Sequence, residues 1–288
     1  MNRIVVGVDP GAAGAAALQW AVREAVSRQL PLHAVRAWSP NAFAMEYVAS
    51  VSYDVQAQEG ALAQQIADEQ LKLAAEQVPG ADGIACTAEA FRGTPARVLV
   101  EQSEGSAMVV VGTRGHGALS RAVLGSVSSS VLHHVTVPVT VVPEPPLERD
   151  GSPARVLVGV DHSKPSIVAL TAAAEQARRR GLVLVPVYVH EPVLGDVAGV
   201  GTCSSDPAAL EEAERRTLQL AATVAGGVDV RAEVVVGHPG ATLNAMARPQ
   251  DLLVVGSRGR GGFTGLLLGS TSTQCAQHAT CPVLVVRS

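Results

Sequence analysis

The chain is 288 residues long, 47% hydrophobic but only 3% aromatic, with a formal net charge of −4. Lys72 and Lys164 are its only lysines, so it offers no basic surface to neutralise a phosphate backbone, and nucleic acid is excluded as a partner. Apolar runs such as Ala107–Val111 fall far below the roughly 20 residues of a membrane-crossing helix, so no membrane span is expected.

A core poor in rings is built from Ala, Val and Leu, which favours a parallel sheet covered on both faces. Short apolar or β-branched runs predict strands near Arg3–Val8, Leu32–Trp38, Gly83–Phe91, Ala107–Gly112 and Pro138–Val142. Helices are expected near Ala12–Gln29, Val55–Gln77, Pro95–Glu104 and Ser126–His134. Pro95 suits a first helical turn, where its missing N–H costs nothing. His133 and His134 close the last of these helices, where side chains can bond exposed carbonyls. Pro143-Glu144-Pro145-Pro146, running on to Pro153, lacks any apolar period and is read as a linker over 144–153, between a domain at 1–143 and another at 154–288.

The second half repeats the first. Ile4-Val5-Val6-Gly7-Val8-Asp9 matches Val156-Leu157-Val158-Gly159-Val160-Asp161 at an offset of 152. Further on, Gly112, Gly115, Gly125, Ser126 and Pro138 match Gly256, Gly259, Gly269, Ser270 and Pro282 at an offset of 144. The second half is therefore eight residues shorter, and the loss falls after Trp38 and His190 but before Gly93-Thr94-Pro95 and Gly237-His238-Pro239. A loop or helix end must differ there. Arg178-Arg179-Arg180 before Gly181 matches cations to a helix C-terminus.

Alternating strands and helices imply an α/β fold: two tandem doubly wound domains with parallel sheets and helices on both faces. Such sheets bind ligands beyond the carboxyl ends of their strands, where the strand order reverses, so the informative residues lie after the first and fourth strands. After the fourth comes Gly112-Thr113-Arg114-Gly115, nine residues, then Gly125-Ser126-Val127-Ser128. The second half has Gly256-Ser257-Arg258-Gly259, nine residues, then Gly269-Ser270-Thr271-Ser272. Glycines permit a tight turn and let amides approach an anion, and the Gly-Ser pair opens a helix whose free N–H groups attract phosphate, with serine hydroxyls as added donors. His116 and Gly117, and Arg260, Gly261 and Gly262, lie within the two loops; Arg114, Arg258 and Arg260 supply positive charge. Gly7 and Gly159 precede Asp9 and Asp161, whose carboxylates at the same crevice suit a ribose hydroxyl or a Mg²⁺ ion rather than a phosphate. Neither loop matches GxxxxGK[ST] or GxGxxG, which disfavours a P-loop hydrolase or a dinucleotide dehydrogenase.

Gly-x2-Gly-x9-Gly-Ser after the fourth strand, with Val-Gly-Val-Asp ending the first, resembles the ATP-binding branch of the universal stress protein family. The resemblance covers nearly the whole chain, in tandem. It implies a five-stranded sheet in the order 3-2-1-4-5, ATP in each loop, pairing of domains through the fifth strand, and a role in stress survival rather than metabolic catalysis. It implicates Asp9, Gly112, Gly115, Gly125 and Ser126, with Asp161, Gly256, Gly259, Gly269 and Ser270. The family often continues Asp-x-Ser; the second half keeps this as Asp161-His162-Ser163, whereas the first reads Asp9-Pro10-Gly11.

No Ser-His-Asp, paired-carboxylate or zinc-ligand pattern falls on the strand ends. The expected partners are an adenine nucleotide, optionally with Mg²⁺, and a second copy of the chain. Two other functions stay open: a weak Mg²⁺-dependent ATPase or phosphotransferase using Asp9 or Asp161, and a structural interaction module with empty loops. Cys86, Cys203, Cys275 and Cys281 form no CxxC and no signal sequence precedes Ile4, which suggests a reducing cytoplasm. Cys275 and Cys281 are expected to serve packing.

Overall fold

Each half of the chain closes a sheet around strands too apolar to face water. In the computed structural model, residues 2–39, 52–113, 124–144, 152–191, 194–195, 202–203, 207–259 and 268–287 are described. The chain divides into two units, Met1–Pro145 and Pro146–Ser288.

The first unit carries β1 (Ile4–Gly7), β2 (Leu32–Trp38), β3 (Cys86–Arg92), β4 (Met108–Gly112) and β5 (Val139–Val142). All pair in parallel, in the order β3-β2-β1-β4-β5, with Ile4 opposite both Leu32 and Met108. This is the expected 3-2-1-4-5 order. Helices α1 (Ala12–Arg28) and α2 (Ser52–Glu76) pack together on one face; α3 (Pro95–Gln102) and α4 (Ser126–His134) pack together on the other. Strand β4 is buried from Met108 to Val111 because helices cover both of its faces.

The second unit repeats this with β6 (Arg155–Gly159), β7 (Val183–His190), β10 (Glu233–Val236), β11 (Leu252–Gly256) and β12 (Val283–Val286). Their parallel order is β10-β7-β6-β11-β12. The helices are α5 (Lys164–Arg180), α6 (Pro207–Ala225), α7 (Pro239–Met246) and α8 (Ser270–His278). A two-residue antiparallel ladder, β8 (Leu194–Gly195) with β9 (Thr202–Cys203), was not foreseen.

Small residues set how closely the first helix of each unit lies on its sheet. Ala17, Ala21 and Ala25 of α1, and Ala169, Ala173 and Ala177 of α5, recur every four residues and are fully buried. The two helices end alike, in the left-handed region, at Gln29 (φ 53°) and Gly181 (φ 62°), so the expected end of α1 at Gln29 is its cap instead. β3 begins at Cys86, later than expected, because Ala81–Gly83 forms a 3-10 turn first. The length difference between the halves lies largely in the second helix, 25 residues in α2 against 19 in α6.

One feature is confined to the second unit. Asp251, fully buried, accepts from the Arg155 backbone N–H at 2.8 Å, the Arg155 guanidinium at 2.9 Å and the Arg248 N–H at 3.0 Å. It ties the start of β6 to the start of β11, and Arg155 also donates to the Met246 carbonyl at 3.0 Å. At the matching place in the first unit stands Ala107, and Arg3 reaches Gln102 instead.

Candidate functional site

The strand order reverses between β6 and β11, so a crevice opens beyond their carboxyl ends. A cavity of about 610 Å³ occupies it. Asp161 follows β6 directly, and its Oδ1 accepts from the Ser163 N–H at 3.0 Å and the Ser163 hydroxyl at 2.5 Å. Ser163 in turn caps α5, accepting from the Ser166 N–H at 3.4 Å. The carboxylate is thus braced by the same residue that starts the helix.

Across the crevice, Gly269 caps α8 without any side-chain acceptor. The Gly269 N–H donates to the Ser257 carbonyl at 2.7 Å, and the Thr273 N–H closes onto the Gly269 carbonyl at 3.0 Å. The amides of Ser270, Thr271 and Ser272 are therefore the opening donors of the helix, and all three residues line the cavity. A Cβ at Gly259 would stand 2.7 Å from Asp161 Oδ2, so a side chain there would force the carboxylate to shift. Val160, Val187, Val189 and Leu243 give the cavity an apolar wall. Arg258 lines it too, and Arg287 lies near enough that its pKa is lowered, by burial first and by the Arg258 charge second. The wall that carries Arg258 is cationic; the β6 side, with Asp161, is anionic.

The first unit shows the same frame. Gly125 caps α4 with no side-chain acceptor, its N–H donates to the Thr113 carbonyl at 2.8 Å, and Ser129 closes onto Gly125 at 2.9 Å. Asp9 Oδ1 accepts from the Gly11 N–H at 2.8 Å.

A family model described as the universal stress protein family matches residues 1–143 and again 154–287. The chain belongs to the universal stress protein family. A universal stress protein of Mycolicibacterium smegmatis is 39% identical over 293 residues, spanning 99% of this chain and 96% of its own. One from Mycobacterium tuberculosis is 37% identical over 300 residues, spanning 99% and 96%. The crystal structure of a universal stress protein from Archaeoglobus fulgidus aligns over 99% of this chain and 96% of its own with a TM-score of 0.63 at 21% identity, a likeness of fold.

Several universal stress protein motif residues do something other than expected. Gly112 and Gly256 were read as turn and ligand glycines, yet neither has positive φ. A Cβ at Gly112 would lie 2.8 Å from the Ala13 carbonyl, and one at Gly256 would lie 3.1 Å from the Pro165 carbonyl oxygen. They are glycines because the first turn of α1 or α5 crosses the end of β4 or β11. Gly7 and Gly159 likewise make room for Leu99 and Leu243. Ser128 and Ser272 were expected to offer hydroxyls to phosphate. Both are buried and turn inward, donating at 3.1 Å to the Thr113 and Ser257 carbonyls respectively and at 3.0 Å and 2.9 Å to the Gly125 and Gly269 carbonyls. Thr113 and Ser257 are buried as well, so they brace the loop through their backbones. Ser126 and Ser270 remain exposed at the helix starts, and Val127 and Thr271 half-buried.

Arg114, Gly115, His116 and Gly117 of the first loop, and Arg260, Gly261 and Gly262 of the second, lie outside the described residues. His133 and His134 do not satisfy the free end carbonyls; each Nδ1 reaches back four residues, to Ser129 and Ser130. Cys275 and Cys281 are fully buried, and burial pushes each thiol up to about 12, which keeps them protonated packing groups. Among the described residues no cluster of His, Cys, Asp and Glu could by itself hold a metal ion, and no helix is long and apolar enough to cross a membrane. Tyr188 and Leu243, which also line the cavity, carry no sequence signal: Tyr188 aligns with Arg36, and nothing in β7 marks Val187–His190 as the residues that meet the crevice.

Proposed function

We propose that this universal stress protein is an ATP-binding stress-response regulator with one nucleotide site per domain. The observation that carries the reading is the duplicated frame of an uncapped helix start fed by a glycine turn, which in the second domain opens on a cavity facing Asp161. Three helix amides and the Arg258 side bind the phosphates. Asp161 accepts from ribose hydroxyls, and the valine and leucine wall takes the base; the cavity volume lies within the usual range for small-ligand sites. Mg²⁺, where bound, rests mainly on the phosphates and takes at most one carboxylate from the chain, as Mg²⁺ commonly does in nucleotide sites. Occupancy biases conformation or partner choice. The free thiols of Cys86, Cys275 and Cys281 suit a cytoplasmic setting. Association of two chains is the expected assembly, read out by light scattering.

The test is mass spectrometry of nucleotide released from freshly purified protein, with calorimetry of ATP binding in the presence and absence of Mg²⁺. Bound adenine nucleotide without steady phosphate release is expected. Asp161→Asn should weaken binding at the second site by roughly tenfold, the scale of one charged hydrogen bond. Phosphate release that vanishes when Asp9→Asn and Asp161→Asn are combined makes the protein a phosphotransfer enzyme instead; no released nucleotide and no saturable heat with ATP ends the proposal.

A further inference from the structure

His162, between Asp161 and Ser163, has φ 63°, in the left-handed region that is uncommon for a side-chain-bearing residue unless its surroundings hold it there. Two contacts do so. The imidazole lies on the Tyr188 ring, with centroids 4.8 Å apart and planes 17° from parallel. Its Nε2 stands 2.9 Å from Thr217 Oγ1. Thr217 is fully buried on α6 and spends its single hydroxyl proton on the Ala213 carbonyl at 2.7 Å. Its oxygen can therefore only accept from the ring, which fixes the proton on Nε2. The turn that carries Asp161 is thus pinned from the side by β7 and α6, while Ser163 holds the carboxylate from ahead. In the first domain the matching residues are Pro10 and Arg36. A proline cannot enter positive φ, so that turn has a different shape.

We propose that His162 is a positioning residue: anchored by Thr217 and Tyr188, it aims the Asp161 carboxylate at the ribose hydroxyls and gives the second site its discrimination for a sugar that carries them. This rests on the nucleotide reading above, and it makes the second domain the ribose-selective one. Phosphate capture belongs to the opposite wall, at the start of α8, and does not depend on the latch.

The experiment uses the full chain carrying Asp9→Ala, so that any preference for ribose hydroxyls comes from Asp161. ATP, 2′,3′-dideoxy-ATP and inorganic tripolyphosphate are titrated by calorimetry into this parent and into T217V, T217S and H162G added to it. Glycine enters the turn freely, so H162G removes the strut without straining the backbone, and it carries the test should T217V unfold. T217V and H162G are expected to weaken ATP binding about fivefold to tenfold, to bring the ATP-to-dideoxy ratio near one, and to leave tripolyphosphate affinity unchanged. T217S, which keeps the acceptor, retains the parent ratio. Variants that keep full discrimination overturn the latch while ATP binding stands. A parent that binds both nucleotides equally overturns it by removing the ribose role of Asp161, and a parent that binds no ATP removes the nucleotide reading as well.

Discussion

The two domains share the wall built on the starts of α4 and α8 and differ in the wall that carries the carboxylate. Gly125 and Gly269 start their helices with the same backbone bonds, and Ser128 and Ser272 brace them with the same hydroxyl geometry. Opposite, Asp161 is braced by two groups of Ser163 in a turn pinned by His162, whereas Asp9 bonds the Gly11 amide in a turn built on Pro10. An anion-binding helix start needs only backbone, so it survives sequence change; a carboxylate needs particular side chains to aim it, so it diverges. The same contrast recurs at the other end of the sheet, where Asp251 clamps the second domain and Ala107 leaves the first without that clamp.

The clamp gives the largest expected effect. Removing one partner of a buried pair leaves the other charge without compensation, at a cost of about 3–5 kcal/mol. Asp251→Ala should therefore destabilise the second domain strongly, since it strips acceptors from the Arg155 guanidinium and from two backbone amides at once. Both tryptophans, Trp20 and Trp38, lie in the first domain, so their fluorescence follows that domain alone while far-ultraviolet circular dichroism follows both. In denaturant, the dichroism should show an early second-domain transition with the tryptophan transition in place. A tryptophan transition that shifts equally would show the domains to unfold as one unit, and the contrast in their anchoring would lose its meaning for stability.

A smaller difference is expected at the glycines that end the fourth strands. A methyl at Gly112 would press on the Ala13 backbone at 2.8 Å, and one at Gly256 would meet the Pro165 carbonyl oxygen at 3.1 Å. Overpacking of this kind costs about 1–3 kcal/mol. Gly112→Ala should lower the tryptophan-monitored midpoint of the first domain by more than Gly256→Ala lowers the second-domain midpoint. Equal losses, or a greater loss at Gly256, would mean that α1 and α5 yield differently from what the two contacts imply.

These glycines also mark how far the sequence could be read. Their spacing located the crevice and the helix starts, because the glycine that ends the fourth strand and the glycine that caps the next helix recur at one interval in both halves. Their reason was hidden, since whether a glycine serves a ligand, a turn or a crossing helix depends on which element lies above it. The serines went astray for a similar cause: Ser128 and Ser272 sit at helix starts where a hydroxyl can face outward or back to the loop, and only packing around Thr113 and Ser257 decides. Strand order was legible only through the family resemblance, since alternating strands and helices by themselves imply just a parallel, doubly wound sheet. Tyr188, Thr217 and the positive φ at His162 were not, as they join three elements that no local pattern connects.

The smallest expected effect is a pH dependence confined to the first domain. His33 on β2 is buried, with Nδ1 3.0 Å from Thr87 Oγ1 and Nε2 3.8 Å from a Glu89 carboxylate oxygen. Burial first, and the Arg3 charge second, hold its pKa below the usual 6.5 against the opposing pull of Glu89. The unfolded chain therefore takes up a proton at His33 more readily than the folded one, so this residue's contribution is intact above about pH 6.5 and is lost as pH falls through the folded pKa. The matching residue of the second domain is Val185, which has nothing to titrate. His33→Val transplants that residue into the first domain. Tryptophan-monitored midpoints taken at about pH 7.5 and about pH 5.5 should separate less in the variant than in the parent. Groups that titrate elsewhere act in both proteins, so the change in separation belongs to His33; an unchanged separation would show that the buried imidazole stays protonated in the fold as easily as in the open chain, with Glu89 offsetting what burial and Arg3 impose.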